Sequence, residues 1–165
     1  MTFHTRFGSL ADFQKGGVEV IDDNPKHYVF SNVFEVASRS KPWERVAVAK
    51  NFEYVIEAAR AQGTSPWYSA AHDEFVVCMD GRVTVLLVKL DNPAAGAPQK
   101  SQGAHVLRAD PIGQKMGRII LGRGHMALLP AQSAYRFEAA EAAAIMIQTI
   151  QGPVTIEKWR EICLA

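Results

Sequence analysis

The sequence has few of the residues that cross-link chains or bind metals. Its 165 residues include only 2 cysteines and 5 histidines. Cys78 and Cys163 lie far apart in the sequence, which suggests reduced thiols in a cytoplasm rather than a disulfide framework. Cys78 falls within an apolar segment, where a buried structural thiol is the expected role.

The sequence also lacks excess charge of either sign and long apolar runs. A net charge of +1 gives no long-range field that would gather nucleic acid or anionic lipid. The longest strongly apolar runs, 83–88 and 142–147, are too short to cross a membrane. The first thirty residues lack the pattern of a signal peptide. We therefore expect a cytoplasmic protein that binds neither nucleic acid nor membrane.

What the sequence does contain is a series of short segments rich in β-branched and aromatic residues. Segments 26–37 and 45–49 are predicted strands, and 51–63, which also fits a helical stripe, is interpreted as a strand. Asp80–Gly81 predicts the turn of a hairpin over 73–90. A second pair of strands is predicted from 117–130 and 133–150. Many short strands with little helix between them predict a mainly β fold, a sandwich or barrel, in a single domain over 1–165.

Helices are expected only near the two ends of this domain. In an N-terminal extension of about 1–25, Ser9 as a cap and Gly16–Gly17 as a stop predict a short helix over 8–17. Helical spacing of apolar residues that include Trp159 predicts a C-terminal helix over about 154–164.

A long loop is predicted at about 91–117, where four glycines and three prolines occur. Loops of this length are uncommon in compact domains and are often functional or mobile. Two interpretations remain open here: a surface insertion, and a segment that becomes ordered against a partner.

Two stretches resemble the paired motifs of cupin barrels, Gly-(x)5-His-x-His-(x)3–4-Glu-(x)6-Gly and Gly-(x)5-Pro-x-Gly-(x)2-His-(x)3-Asn. Glu74 and Gly81 in "EFVVCMDG" have the spacing at the end of the first motif, and Gly124 and Pro130 have the spacing at the start of the second. The resemblance implies a cupin-type β-barrel or jelly roll.

The metal ligands of those motifs are mostly missing. The motif carries two histidines ahead of Glu74 and a third at position 135, where Tyr135 stands. The residues around the first two positions are Trp67, Tyr68, Ser69, Ala70 and Ala71. A mononuclear iron site needs about three protein donors, and a neutral phenol is a poor Fe(II) ligand. We therefore expect no metal in this barrel and no catalytic residue in this chain.

His72 supports an alternative. It lies two residues before Glu74, so on a strand both side chains would share one face, and His72, Glu74 and His125 would together form a metal site. The favoured interpretation is a hydrogen-bonded pair of His72 and Glu74 that also reaches an arginine, because a buried lone carboxylate is costly.

A longer stretch carries a more specific resemblance. Residues 27–75, "HYVFSNVFEVASRSKPWERVAVAKNFEYVIEAARAQGTSPWYSAAHDEF", closely resemble the small subunit of two-component hydroquinone 1,2-dioxygenases, and the similarity extends over most of 3–160. The missing ligands agree with what this resemblance implies, namely a small subunit that lacks iron.

The resemblance implies a heteromer with a larger cupin-type catalytic subunit that holds Fe(II). A heterotetramer is one assembly that fits it. Such a complex opens the ring of hydroquinone to 4-hydroxymuconic semialdehyde during 4-nitrophenol degradation, and the small subunit alone is expected to be inactive. The candidates for pocket or partner contact are Trp67, Tyr68, His72, Glu74, Tyr135 and Trp159. Two alternatives remain: a stand-alone cupin that binds a small aromatic or organic acid without catalysis, and a metal-cupin that uses His72 and Glu74.

Overall fold

The structure, a computed structural model, describes residues 7–24 and 31–162. Within these residues it contains three short helices and ten strands that form a single sheet. The elements in chain order are α1 (Val33–Arg39), β1 (Arg45–Asn51), β2 (Tyr54–Thr64), β3 (Tyr68–Ala70), β4 (Glu74–Asp80), β5 (Arg82–Leu90), α2 (Pro93–Gly96), β6 (Ala104–Val106), β7 (Gly113–Gly122), β8 (Met126–Leu129), β9 (Ser133–Ile150), β10 (Thr155–Ile156) and α3 (Trp159–Ile162). The predicted mainly β fold is confirmed.

The 18-residue strand β9 organises the sheet. Along one edge it pairs with β2 and then β3, and along the other edge with β4 and then β5. β8 continues the sheet beyond β4, β7 beyond β5, β1 and β10 beyond β2, and β6 beyond β3. The sheet bends along the middle of β9, so that its two halves enclose a core.

Small residues allow this bend. The register of β9 with its neighbours shifts around its alanine-rich segment 139–144, opposite Gly63 on one edge and Gly81 on the other. Both glycines have positive φ, +75° and +74°. A Cβ atom built on Gly81 would lie 2.7 Å from the Cβ atom of Ala143. Glycine at position 81 is therefore required by both its backbone conformation and the close approach of β9.

The predicted strand pairings are wrong, although the strands themselves form. Within the described residues β4 and β5 do not pair with each other, because Gly81 joins them at an irregular bend and both run along β9. A positive φ suits such a bulge as well as a hairpin turn. The segment 117–130 contributes to β7 and β8, which pair with β5 and β4 rather than with β9.

The helix near the N-terminus lies elsewhere than predicted. Described residues 8–17 form no helix, and the Ser9 hydroxyl instead accepts a hydrogen bond from the Asp12 N–H in an isolated bend. Within the predicted strand 26–37, residues 33–37 belong to α1, and 26–30 lie outside the described residues. The side chain of Asn32 caps this helix by accepting from two backbone N–H groups, so capping and packing on the outer face of the sheet override the local strand propensity.

The two remaining boundary predictions are also corrected. The predicted loop 91–117 contains α2, β6 and the beginning of β7. In the predicted helix 154–164, Thr155–Ile156 pair with β1 instead, and the helix begins only at Trp159. Residues 163 and 164 lie outside the described residues. No helix in the described part of the chain is long and apolar enough to cross a membrane.

Candidate functional site

Glu74 lies at the centre of the barrel and is fully buried. It is the first residue of β4 and pairs with buried Leu129 of β8. Its Oε1 atom accepts a hydrogen bond of 2.9 Å from Nη2 of Arg45, which is only 2% exposed. The same guanidinium donates through Nε to Oε2 of buried Glu57, at 2.5 Å. One arginine on β1 thus joins carboxylates from β2 and β4.

Two tyrosines complete the group, hereafter the Arg45 cluster (Arg45, Glu57, Tyr68, Glu74 and Tyr135). The Tyr135 hydroxyl donates to Oε2 of Glu74 and accepts from Nη1 of Arg45 at 2.9 Å. The Arg45 guanidinium lies 5.5 Å from the centre of the Tyr68 ring. Because Arg45 lies in one half of the folded sheet and the two tyrosines pair in the other, the cluster connects the two halves.

The environment fixes the charge of the cluster. Burial lowers the pKa of Arg45, but the facing oxygens of Tyr135, Glu57 and Glu74 outweigh it and hold this pKa well above its ordinary value. Burial raises the pKa of Tyr135 well above the usual value for a phenol, and the neighbouring Glu74 carboxylate adds to the rise although Arg45 opposes it. Arg45 therefore stays cationic and Tyr135 stays a neutral donor throughout the physiological range.

The cluster makes stability sensitive to alkaline pH. Burial also raises the pKa of Tyr68, so both tyrosines keep their protons when folded, while those of the unfolded chain ionise near pH 10. Below about pH 10 the two tyrosines do not lower the free energy of unfolding. Above it, the free energy of unfolding falls as pH rises, by up to about 1.4 kcal/mol per pH unit for each tyrosine. Urea unfolding at pH 9, 10 and 11 should show this decline and a shallower one for Tyr135→Phe. Equal slopes for the two proteins would contradict it.

The residues at the cupin ligand positions do not fit an iron site. Glu74 and Tyr135 occupy two of these positions, and both bind the Arg45 guanidinium. A permanent cation thus contacts the side chains where a metal would be held, and both oxygens of Glu74 are already engaged. Among residues 7–24 and 31–162, no three His, Cys, Asp or Glu side chains are grouped closely enough to hold a metal ion.

The structure does not assemble the alternative site of His72, Glu74 and His125. His72 lies in a bend before β4, where strand alternation does not hold, and its Nε2 atom accepts from the Ile150 N–H at 3.3 Å and lies 3.1 Å from Thr149 Oγ1. The predicted His72–Glu74 pair is therefore replaced by contacts to β9. His125 is exposed in the turn between β7 and β8, and its backbone faces Cys78, four residues along β4 from Glu74, or roughly 13 Å.

The two tryptophan candidates lie outside the cluster. Trp67 is half-buried, donates from Nε1 to Asp110 at 3.1 Å and packs 4.6 Å from the Arg136 guanidinium. It lines a cleft of about 570 Å³ together with residues of β5 and β7. Trp159 is half-buried at the start of α3, next to β1.

Sequence reasoning missed Arg45 and Glu57 as named members of the site. The available signal was a charged residue at an inward-facing position within an alternating apolar strand, in "RVAVA" and "YVIEAA". Charged residues are almost never fully buried unless they are paired, so two such positions on adjacent strands indicate an internal ion pair.

Comparison with solved structures relates the whole chain to one enzyme. A chain in the crystal structure of hydroquinone 1,2-dioxygenase from Sphingomonas sp. TTNP3 with 4-hydroxybenzoate bound is 60% identical, with a TM-score of 0.95 over 99% of both chains. A chain of hydroquinone 1,2-dioxygenase PnpCD, in complex with Cd²⁺ and 4-hydroxybenzonitrile, is 51% identical, with a TM-score of 0.93 over 99% of this chain and 98% of that one.

A second, longer chain resembles the protein in fold alone. It belongs to PnpCD in complex with Fe³⁺, is 14% identical, and matches with a TM-score of 0.63 over 89% of this chain but only 41% of its own length. No family model and no curated protein matches the sequence. The two full-length matches at 60% and 51% identity show that the chain belongs to the hydroquinone 1,2-dioxygenase family of ring-cleaving dioxygenases.

Proposed function

We propose that this chain is the iron-free small subunit of a two-component hydroquinone 1,2-dioxygenase. The complex would convert hydroquinone and O₂ into 4-hydroxymuconic semialdehyde, with both oxygen atoms entering the product. The observation that carries the proposal is the Arg45 cluster, in which a guanidinium binds the side chains at the expected metal-ligand positions. An Fe(II) ion in the larger subunit would supply the oxygen chemistry.

Fold similarity supports the assignment of two subunits. The longer chain of PnpCD matches this protein over less than half its own length, so it has room for the same barrel and for further structure. Of two barrels of related fold, one can then bind the metal while the other stabilises the metal-binding barrel. The low cysteine content further supports the proposal that the complex is cytoplasmic.

The role proposed for this chain is mechanical. Substrate positioning to within a fraction of an ångström strongly affects rate, and a closed site must also exclude water. The Arg45 cluster links the two halves of the barrel where a metal would otherwise do so. The subunit can therefore offer its partner a rigid surface without binding iron itself. No reacting group from this chain is required.

Co-expression with the longer subunit of the same enzyme tests the proposal. The purified complex should cleave hydroquinone and contain iron. The longer subunit alone should cleave hydroquinone at least ten-fold more slowly, and this chain alone should neither cleave it nor contain stoichiometric iron. His72→Ala should leave the iron content of the complex unchanged. Cleavage of hydroquinone by this chain alone would refute the proposal, and calorimetric binding of hydroquinone without the partner would favour a stand-alone carrier.

A further inference from the structure

An apolar surface on the outside of the barrel stays uncovered by the described residues. Strand pairing aligns Ile56, Gln148, Phe75 and Leu128 in one row across β2, β9, β4 and β8. Met146, Val77 and Met126 form the next row. Alternation places the neighbours of these residues, such as Glu57, Glu74 and Ile147, in the core. The seven outward side chains are hereafter the bare face.

The bare face is exposed and contains no charged residue. Ile56, Phe75, Leu128 and Met126 are 37%, 41%, 42% and 62% exposed, and Tyr54 beside them is 54% exposed. Farther along the same outer surface, α1 covers Ala58 and Ala144 with Val36, Phe34 and Ala37. The sheet is thus covered by the chain's own helix at one end and left apolar and open at the other.

The exposure of the bare face is typical of an interface. Tyr54 continues the same face along β2, so five large apolar side chains there are each at least 37% exposed. Monomers rarely expose contiguous apolar patches of more than a few hundred Å², and larger ones mark interaction sites. Its lack of charge is typical of the core of a permanent interface rather than of a transient encounter.

We infer that the bare face binds the cupin-type barrel of the larger subunit, a conclusion that rests on the proposed function. An uncharged sheet surface fits a partner surface that is also apolar, because facing charges would be desolvated without a counter-charge. The longer chain of PnpCD carries the same fold over 89% of this chain, and a related barrel has an outer sheet surface at the equivalent place. Packing of the two equivalent surfaces gives an approximate two-fold pair.

Charged substitutions in the co-expressed complex test this inference. Phe75→Glu and Met126→Glu should each weaken the association of the two subunits at least ten-fold, measured by titration of one labelled subunit with the other. Ile120→Glu is the matched control, since Ile120 on β7 is 45% exposed but lies outside the bare face, and it should change the association less than two-fold. Met126 is well exposed, so its substitution should leave the fold intact, which the melting temperature of the variant would verify.

The possible outcomes separate the two proposals. If the wild-type subunits bind and cleave hydroquinone but neither bare-face variant weakens binding, the surface is wrong and the proposed function stands. If the wild-type chain does not bind the larger subunit at all, both fail. If the variants abolish only self-association of this chain and leave the complex intact, the bare face joins two copies of the chain and the inference is overturned.

Discussion

Replacement of Arg45 by methionine is expected to lower the free energy of unfolding by about 3–5 kcal/mol, the usual cost of removing one partner from a buried ion pair. The substitution leaves Glu57 and Glu74 fully buried without their shared cation, and it removes a donor to Tyr135. Methionine keeps much of the side-chain volume, so the loss reports on charge rather than on a cavity. Equilibrium urea unfolding at neutral pH measures it.

Two comparisons give the Arg45 result its meaning. Arg39→Met removes an exposed arginine that pairs with Glu35 within α1, and it should cost no more than about 0.5 kcal/mol. Combining Arg45→Met with Glu57→Gln and Glu74→Gln removes the charges together and should recover a large part of the loss, because only unpaired charges are costly to bury. A loss below about 1 kcal/mol for Arg45→Met alone would show that the cluster does not hold the barrel together.

Gly81→Ala is expected to destabilise the protein by about 3 kcal/mol, since a positive φ and a close contact both oppose a side chain there. Gly81 has a φ of +74°, and its new Cβ atom would lie 2.7 Å from that of Ala143. Gly63→Ala is the matched control, because Gly63 has a φ of +75° but no atom within 4 Å of an added Cβ. It should cost only about 1–1.5 kcal/mol, and the difference in unfolding free energy isolates the contact with β9. Equal losses would mean that backbone strain alone explains glycine at position 81.

The fold class could be predicted from sequence because short alternating segments and turn residues are local signals. Arg45–Asn51 and Tyr54–Thr64 form strands as the alternation in 45–49 and 51–63 indicates. Their partners could not be predicted, since pairing depends on contacts with β9 far along the chain. The segment at Val33–Arg39 shows the limit of propensity, because one asparagine cap and an apolar sheet surface were enough to make it helical.

The site was predictable in part. The resemblance to the cupin motifs placed Glu74 and Tyr135 at ligand positions, and the cost of burying a carboxylate led to the expectation of an arginine partner. Which arginine it is depends on the pairing of β1 with β2, which places Arg45 beside the same pocket. The His72 prediction is wrong because β4 begins at Glu74, two residues after His72, so His72 does not share the strand's alternation.

The position of β9 in the sheet also bears on how the polypeptide acquires its shape. Phe75 pairs with Gln148 and Lys89 with Ser133, so β4 and β5 are synthesised before β9, the strand with which they pair. Such non-local pairing is typical of domains that fold in milliseconds to seconds rather than microseconds. A nascent chain that ends before residue 150 would expose unpaired strand edges. Binding of chaperones to these edges would then affect the yield of folded protein.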